Sequence, residues 1–164
     1  MNPEKTDGGL LISSHACFPE TAADEFMLYR QEYLNTTGRK RGDEVLAYHL
    51  RQAFKPGKIT AEKANEIGKA LAERLTDKQH AFVVATHIDK QHIHNHIIFC
   101  ATSLDGRQKY RDVKRSAKEL VQISDALCGK TDYQLSAIHR IKLSHMTSGR
   151  SIGKRAVTGM TFES

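Results

Sequence analysis

Apolar residues recur along this chain with two periods, and the switches between them mark out its elements. Leu10 to Ala16, following the turn at Asp7, Gly8 and Gly9, predicts a short strand. Pro19 opens a helix expected from Glu20 to about Thr36, with Ala22, Phe26, Tyr29 and Tyr33 at helical spacing and Gly38 as its stop. Val45 to Phe54 predicts a second strand, in which Tyr48 and Leu50 alternate with His49 and Arg51, and Lys55, Pro56 and Gly57 break it. Thr60 is the expected N-cap of a helix running to Leu75, whose apolar stripe is Ala64, Ile67, Leu71 and Leu75.

Two strongly β-forming runs come next, Ala81 to Ile88 and a second ending in Ile97, Ile98 and Phe99, with Lys90 and Gln91 as the turn of an antiparallel hairpin. After a turn at Asp105 and Gly106, a last amphipathic helix shows Val113, Ala117, Leu120, Ser124 and Leu127 on one side and stops at Gly129. The order of strand, helix, strand, helix, hairpin and helix describes an α+β domain, an antiparallel sheet backed by helices. From about His139 the periodicity is lost and the chain turns basic, with Glu163 its only acid. Residues 1–138 are therefore expected to be the domain and 139–164 a basic, flexible tail.

Within the hairpin, His87, Asp89, His92, His94 and His96 crowd into ten positions. In an extended strand side chains alternate faces, so His92, His94 and His96 share one face and Ile93, Asn95 and Ile97 take the other. A turn at Lys90 and Gln91 places His87 opposite His94 and Asp89 opposite His92, with directly opposed Cβ atoms about 4.5–5.5 Å apart. His87, His94 and His96 are the expected metal ligands. Asp89 and His92, nearer the turn, are placed to orient a ligand's second nitrogen. Three imidazoles leave coordination positions open, as a catalytic ion needs, and imidazole suits manganese, iron, cobalt, nickel, copper or zinc better than magnesium or calcium. The competing interpretation is a solvated polar sheet face or a chance chelating tract. The apolar residues flanking the cluster weigh against it, because they make this a core hairpin.

The chain has 164 residues, and its 25 Lys and Arg against 19 Asp and Glu leave a formal charge of +6. That is enough chain for one well-buried core, and a basic balance favours polyanionic partners, nucleic acid first. Cys17, Cys100 and Cys128 are odd in number and widely spaced, so neither a disulfide framework nor a zinc knuckle is indicated and a reducing, cytoplasmic location is expected. No run of residues is apolar enough to span a bilayer, and the N-terminus lacks the apolar core of a signal peptide.

The stretch from Thr86 to Phe99, with its histidines and aspartate at these spacings, resembles the histidine motif of the relaxases, the mobilisation nucleases of conjugative plasmids and integrative elements within the HUH endonuclease superfamily. Ala47 to Thr60 and Asn2 to Gly8 resemble the family's flanking segments, and the likeness covers residues 2 to about 128. It implies the palm-like HUH fold and metal-dependent nicking and strand transfer on single-stranded origin-of-transfer DNA, with accessory mobilisation proteins as further partners and no membrane. A tyrosine would attack the scissile phosphate to leave a 5′-phosphotyrosyl link. One divalent ion, manganese, magnesium or another transition ion, would sit on His87, His94 and His96, with Asp89 and His92 as the supporting catalytic pair.

Two departures follow from the same comparison. Ala53 and Phe54 stand where the family commonly has a Ser-Phe pair. The family's nucleophilic tyrosine precedes the Asn-Pro-Glu-Lys-Thr segment, where this chain has Met1, so the nucleophile is expected just upstream of Met1 and the domain is expected to be N-terminally truncated with impaired cleavage. The alternatives are a non-catalytic nucleic-acid-binding module derived from a relaxase, or a metal-dependent phosphodiesterase. Basic residues available to DNA are Arg39, Lys40, Arg41, Arg51, Lys55, Lys58, Lys109, Arg111, Lys114 and Arg115. The first three and the last four are the favoured groups.

Overall fold

The alternation and helical stripes are realised in the order β1 (Ile12–His15), α1 (Ala22–Thr37), β2 (Val45–Ala53), α2 (Ala61–Thr76), β3 (Phe82–Ile88), β4 (Ile93–Cys100), α3 (Lys114–Gly129) and β5 (Ser144–Thr147). The structure, a computed structural model, describes residues 11–39, 45–88, 92–110, 114–129 and 144–147. The α+β class read from the sequence is observed. All pairings in the five-stranded sheet are antiparallel and its order is β1-β3-β4-β2-β5. The hairpin β3-β4 therefore lies inside the sheet, flanked on one side by β1 and on the other by β2.

Local chemistry sets the helix ends. Thr60 accepts a hydrogen bond from the Lys63 amide and starts α2 as expected. The start of α1 falls at Ala22 rather than Glu20. There Glu25 accepts from the Phe18 amide and from the Thr21 hydroxyl, which ties the loop after Pro19 to the first turn. Gly38 ends α1 in the left-handed conformation, φ 64°, and its amide closes on the Leu34 carbonyl.

Within the stretch expected to be a basic, flexible tail, Ser144–Thr147 form β5, which pairs with β2. The segment Ser-His-Met-Thr holds a single apolar residue, so no period of two announces it. It is a strand because the edge of β2 supplies backbone partners. The rest of the tail lies outside the described residues, as do Asn2 to Gly8, Lys40, Arg41, Asp89 and Arg111.

The two sheet faces are covered differently. Tyr48, Leu50, Phe82, Val84, Ile97 and Phe99 pack under Leu71 and Ala72 of α2, with Ile123 and Leu127 of α3 at the margin. Full burial of each large side chain stabilises the fold by about 1.5–3 kcal/mol. On the other face Ala47, Val83, Ile98 and Cys100 pack against Ala22 and Phe26 of α1. That apolar cluster stops at Val83 and Ile98, and the next positions on the same face are Ala85 and His96, then His87 and His94.

At this same end the face beneath α2 also turns polar. Thr86 donates to Asn95 Oδ1 at 2.6 Å, and Asn95 Nδ2 reaches Gln52 Oε1 at 2.9 Å and the Ala64 carbonyl at 2.7 Å. Gln52 donates on to the Ser124 hydroxyl, while Asn65 donates to Thr86 and to the Leu11 carbonyl and accepts from the Ser13 hydroxyl. The chain of bonds joins β1, α2, β3, β4, β2 and α3, so six elements meet through satisfied polar groups directly beneath the histidines.

Candidate metal centre

The hairpin register places His87 across from His94 and Ala85 across from His96. On the other flank β2 sets Ala53 across from His94 and Arg51 across from His96. Each of these two histidines thus faces an alanine on one neighbouring strand, and the small side chains leave room for imidazoles to converge. The centroids of the His87 and His96 rings are 4.7 Å apart, those of His94 and His96 4.9 Å, and those of His87 and His94 5.3 Å. One nitrogen from each ring can be chosen so that all three lie within 4.8 Å of one another, and all three residues are buried. Among the described residues this is the one cluster of at least three potential ligands.

Burial, followed by the neighbouring His49, His87, His94 and Arg51, drives His96 down to about 2. The ring is therefore neutral at physiological pH, the form in which imidazole ligates. A buried set of three imidazole nitrogens fits a divalent transition ion with open positions for a ligand.

His92 is half-buried and its ring centroid lies 5.3 Å from that of His94, while its expected companion Asp89 lies outside the described residues. Sequence reasoning gave no role to His49. Its Nε2 is 2.8 Å from His96 Nδ1, and burial, then Arg51, lowers its pKa. The available signal was the alternation of His49 with Leu50. The missing information was the pairing of β2 with β4, which is remote in sequence.

The basic candidates separate. Arg51 is exposed on the histidine face, and Lys55 and Lys58 are exposed just past Ala53, at the same end of the sheet. Arg39 follows the end of α1, the helix whose Tyr33 lies under Lys109 and whose Glu32 lies against Gly106, both in the segment after β4. Lys109 lies 5.3 Å over the Tyr33 ring, in a packing role. Lys114 and Arg115 begin α3, and their side chains lie outside the described residues.

The described tyrosines are engaged in packing. Tyr48 stacks on Phe99 on the face opposite the histidines, and Tyr110 packs edge-on against both. Tyr29 donates to the Ala16 carbonyl, and Tyr33 is buried under Lys109. Tyr133 lies outside the described residues. Among them, no helix is long and apolar enough to cross a membrane.

Comparison with known proteins bears on what this centre belongs to. The family model for the MobA/VirD2-like relaxase nuclease domain matches residues 1–133. Protein rlx of Staphylococcus aureus is 37% identical over 102 residues, covering 61% of this chain and 32% of that protein. The group II intron-interrupted relaxase LtrB of Lactococcus lactis subsp. cremoris (strain MG1363) is 33% identical over 123 residues, covering 63% of this chain and 22% of that protein. The chain spans about a third or less of the length of these relatives. No solved structure matches it. With the family model covering most of its length, the chain belongs to the relaxases, as a nuclease domain of the MobA/VirD2-like kind.

Proposed function

We propose that this domain carries metal-dependent nicking and strand transfer on single-stranded DNA at an origin of transfer. The observation that carries the proposal is the convergence of His87, His94 and His96 on one face of an inner hairpin, in a chain of relaxase family. These three residues would hold one divalent ion, which when bound supplies Lewis-acid polarisation of a phosphate oxygen. His96 is kept neutral and so ready to donate a lone pair. His92, beside His94, is placed to steady that ring or to handle a proton at the rim. Asp89 is assigned the supporting role that the family resemblance implies.

Arg51, exposed next to the triad, offers a planar fork for a phosphate, and Lys55 and Lys58 extend the positive surface along the same end. No described tyrosine is assigned as nucleophile, because each is occupied in packing. The engaged tyrosines also support a second reading, a module that binds DNA and metal without cutting.

Titration calorimetry with Mn2+ and incubation with a single-stranded origin oligonucleotide test the proposal together. His94→Ala and His96→Ala are expected to abolish most ion binding, and equal binding in these variants and wild type overturns the ligand assignment. A denaturant-resistant protein–DNA adduct supports strand transfer. Salt-sensitive DNA binding without an adduct supports the binding module.

A further inference from the structure

Resting on the proposal that His87, His94 and His96 hold the ion, we infer that His49 is a positioning residue of the centre: its Nε2 accepts the Nδ1–H of His96 and so leaves the His96 Nε2 lone pair to face the ion.

The contact is directional. With nitrogens 2.8 Å apart, ring centroids 5.0 Å apart and planes inclined by only 17°, the imidazoles meet edge to edge. The separation of the centroids beyond that of the nitrogens is what two ring radii account for. The hydrogen bond therefore lies in the planes of both rings and fixes the rotation of His96 about its own axis.

A neutral imidazole has one N–H and one lone pair, so this contact permits two arrangements. If His49 donates, His96 carries its own proton on Nε2 and has no lone pair to offer the ion. If His96 donates from Nδ1, its Nε2 is a ligand. Metal-bound histidines commonly give their second N–H to a carboxylate, a carbonyl or water, and here a histidine nitrogen lies within reach.

The register explains why the partner is available. Arg51 stands directly across from His96 and His49 across from Ile98, so His49 is the diagonal neighbour of His96 on the same face. The choice of a neutral partner also matters. A carboxylate in this place would cancel one unit of the ion's charge, whereas His49 leaves the centre more attractive to an anionic phosphodiester.

The test is calorimetric titration of the full chain with Mn2+, on wild type, His49→Leu and His49→Gln, with urea midpoints of the metal-free proteins measured alongside. His49→Leu removes the acceptor and is expected to weaken Mn2+ binding about 10–100-fold. His49→Gln, whose Oε1 accepts an N–H, is expected to recover most of that loss. Wild-type affinity in His49→Leu, or no recovery in His49→Gln, overturns the inference. If His49→Leu fails to fold, 15N spectra of histidine-labelled, metal-free wild type decide: a proton on His96 Nδ1 supports the inference and a proton on Nε2 overturns it. Absence of Mn2+ binding by wild type overturns the metal assignment itself. The His96 tautomer, read without metal, stands or falls separately.

Discussion

Thr86 and Asn95 oppose one another across β3 and β4, joined by a 2.6 Å hydrogen bond, one position along each strand from the opposed His87 and His94 on the other face. The polar pair and the histidine pair are thus two faces of the same short piece of ladder. Whatever holds Thr86 to Asn95 also holds the register on which the histidine cluster depends, since a slip of one residue would send every side chain to the opposite face.

Asn95 is fully buried and donates to both Gln52 and the Ala64 carbonyl. Asn95→Ala takes the donor from Gln52 Oε1 and the acceptor from the Thr86 hydroxyl and is expected to cost roughly 2–4 kcal/mol. Asn95→Asp adds a carboxylate where donors are needed and is expected to cost at least as much. Urea unfolding checks both, and a loss below about 1 kcal/mol in either would show that the network does not lock the sheet.

Gly68 sits where α2 comes closest to the sheet. A Cβ there would collide with Asn95 Nδ2 and lie 2.9 Å from both Asn95 Cγ and Val84 Cγ1. Alanine is the better helix former by about 1 kcal/mol, but overpacking typically costs about 1–3 kcal/mol. The collision involves a locked amide, so Gly68→Ala is expected to lower the urea midpoint. A raised midpoint would mean that the helix simply lifts away from Asn95.

The buried histidines tie stability to pH. His96 is held near 2 in the fold, below the value of about 6.5 it takes when unfolded. As pH falls the unfolded chain therefore takes up the proton first. Stability from this residue is complete above about 6.5 and is lost below it at about 1.4 kcal/mol per pH unit, until the folded value is approached. Burial lowers His49 and His80 as well, so they act in the same sense. In chelator, the urea midpoint is expected to drop from pH 8 to pH 5.5, and less steeply in His96→Gln. An unchanged midpoint across that range contradicts the burial argument.

The positive surface is predicted to lie at the histidine end. Substituting Arg51, Lys55 and Lys58 by Gln together is expected to weaken single-stranded DNA binding. If all three touch phosphate, the slope of log affinity against log salt should fall by roughly 2. Arg39→Gln is expected to leave both unchanged. Fluorescence anisotropy over a salt series makes the comparison, and the reverse result would move the DNA path toward the Cys100 end of the sheet.

The legible parts of this structure are those written in local periodicity. Alternation placed His94 and His96 on one face and Asn95 on the other, and the expectation of a two-residue turn sufficed to set His87 against His94. Thr60 and Gly38 announced a helix start and a helix end. What could not be read was pairing between distant segments. Nothing near His49 says that β2 lies against β4, and nothing in Ser144–Thr147 says that it extends the sheet. One clue was present and given no weight. Asn95 is a polar residue in an otherwise apolar row with Ile93 and Ile97, and Asn65 interrupts the buried face of α2 in the same way. Each marks a place where the core is held by hydrogen bonds rather than by shape alone.

The position of the hairpin in the sheet has a further consequence. β3 and β4 are interior strands, bounded by the four-residue β1 on one side and by β2 on the other, with the four-residue β5 beyond it. Thermal opening of a sheet starts at such short margins, so either rim can come and go while the three imidazoles keep their mutual distances. The three histidines part company only when the middle of the domain does. The entropy of gathering them is spent during folding, so an ion bound as proposed would meet a cup already formed rather than one it must assemble.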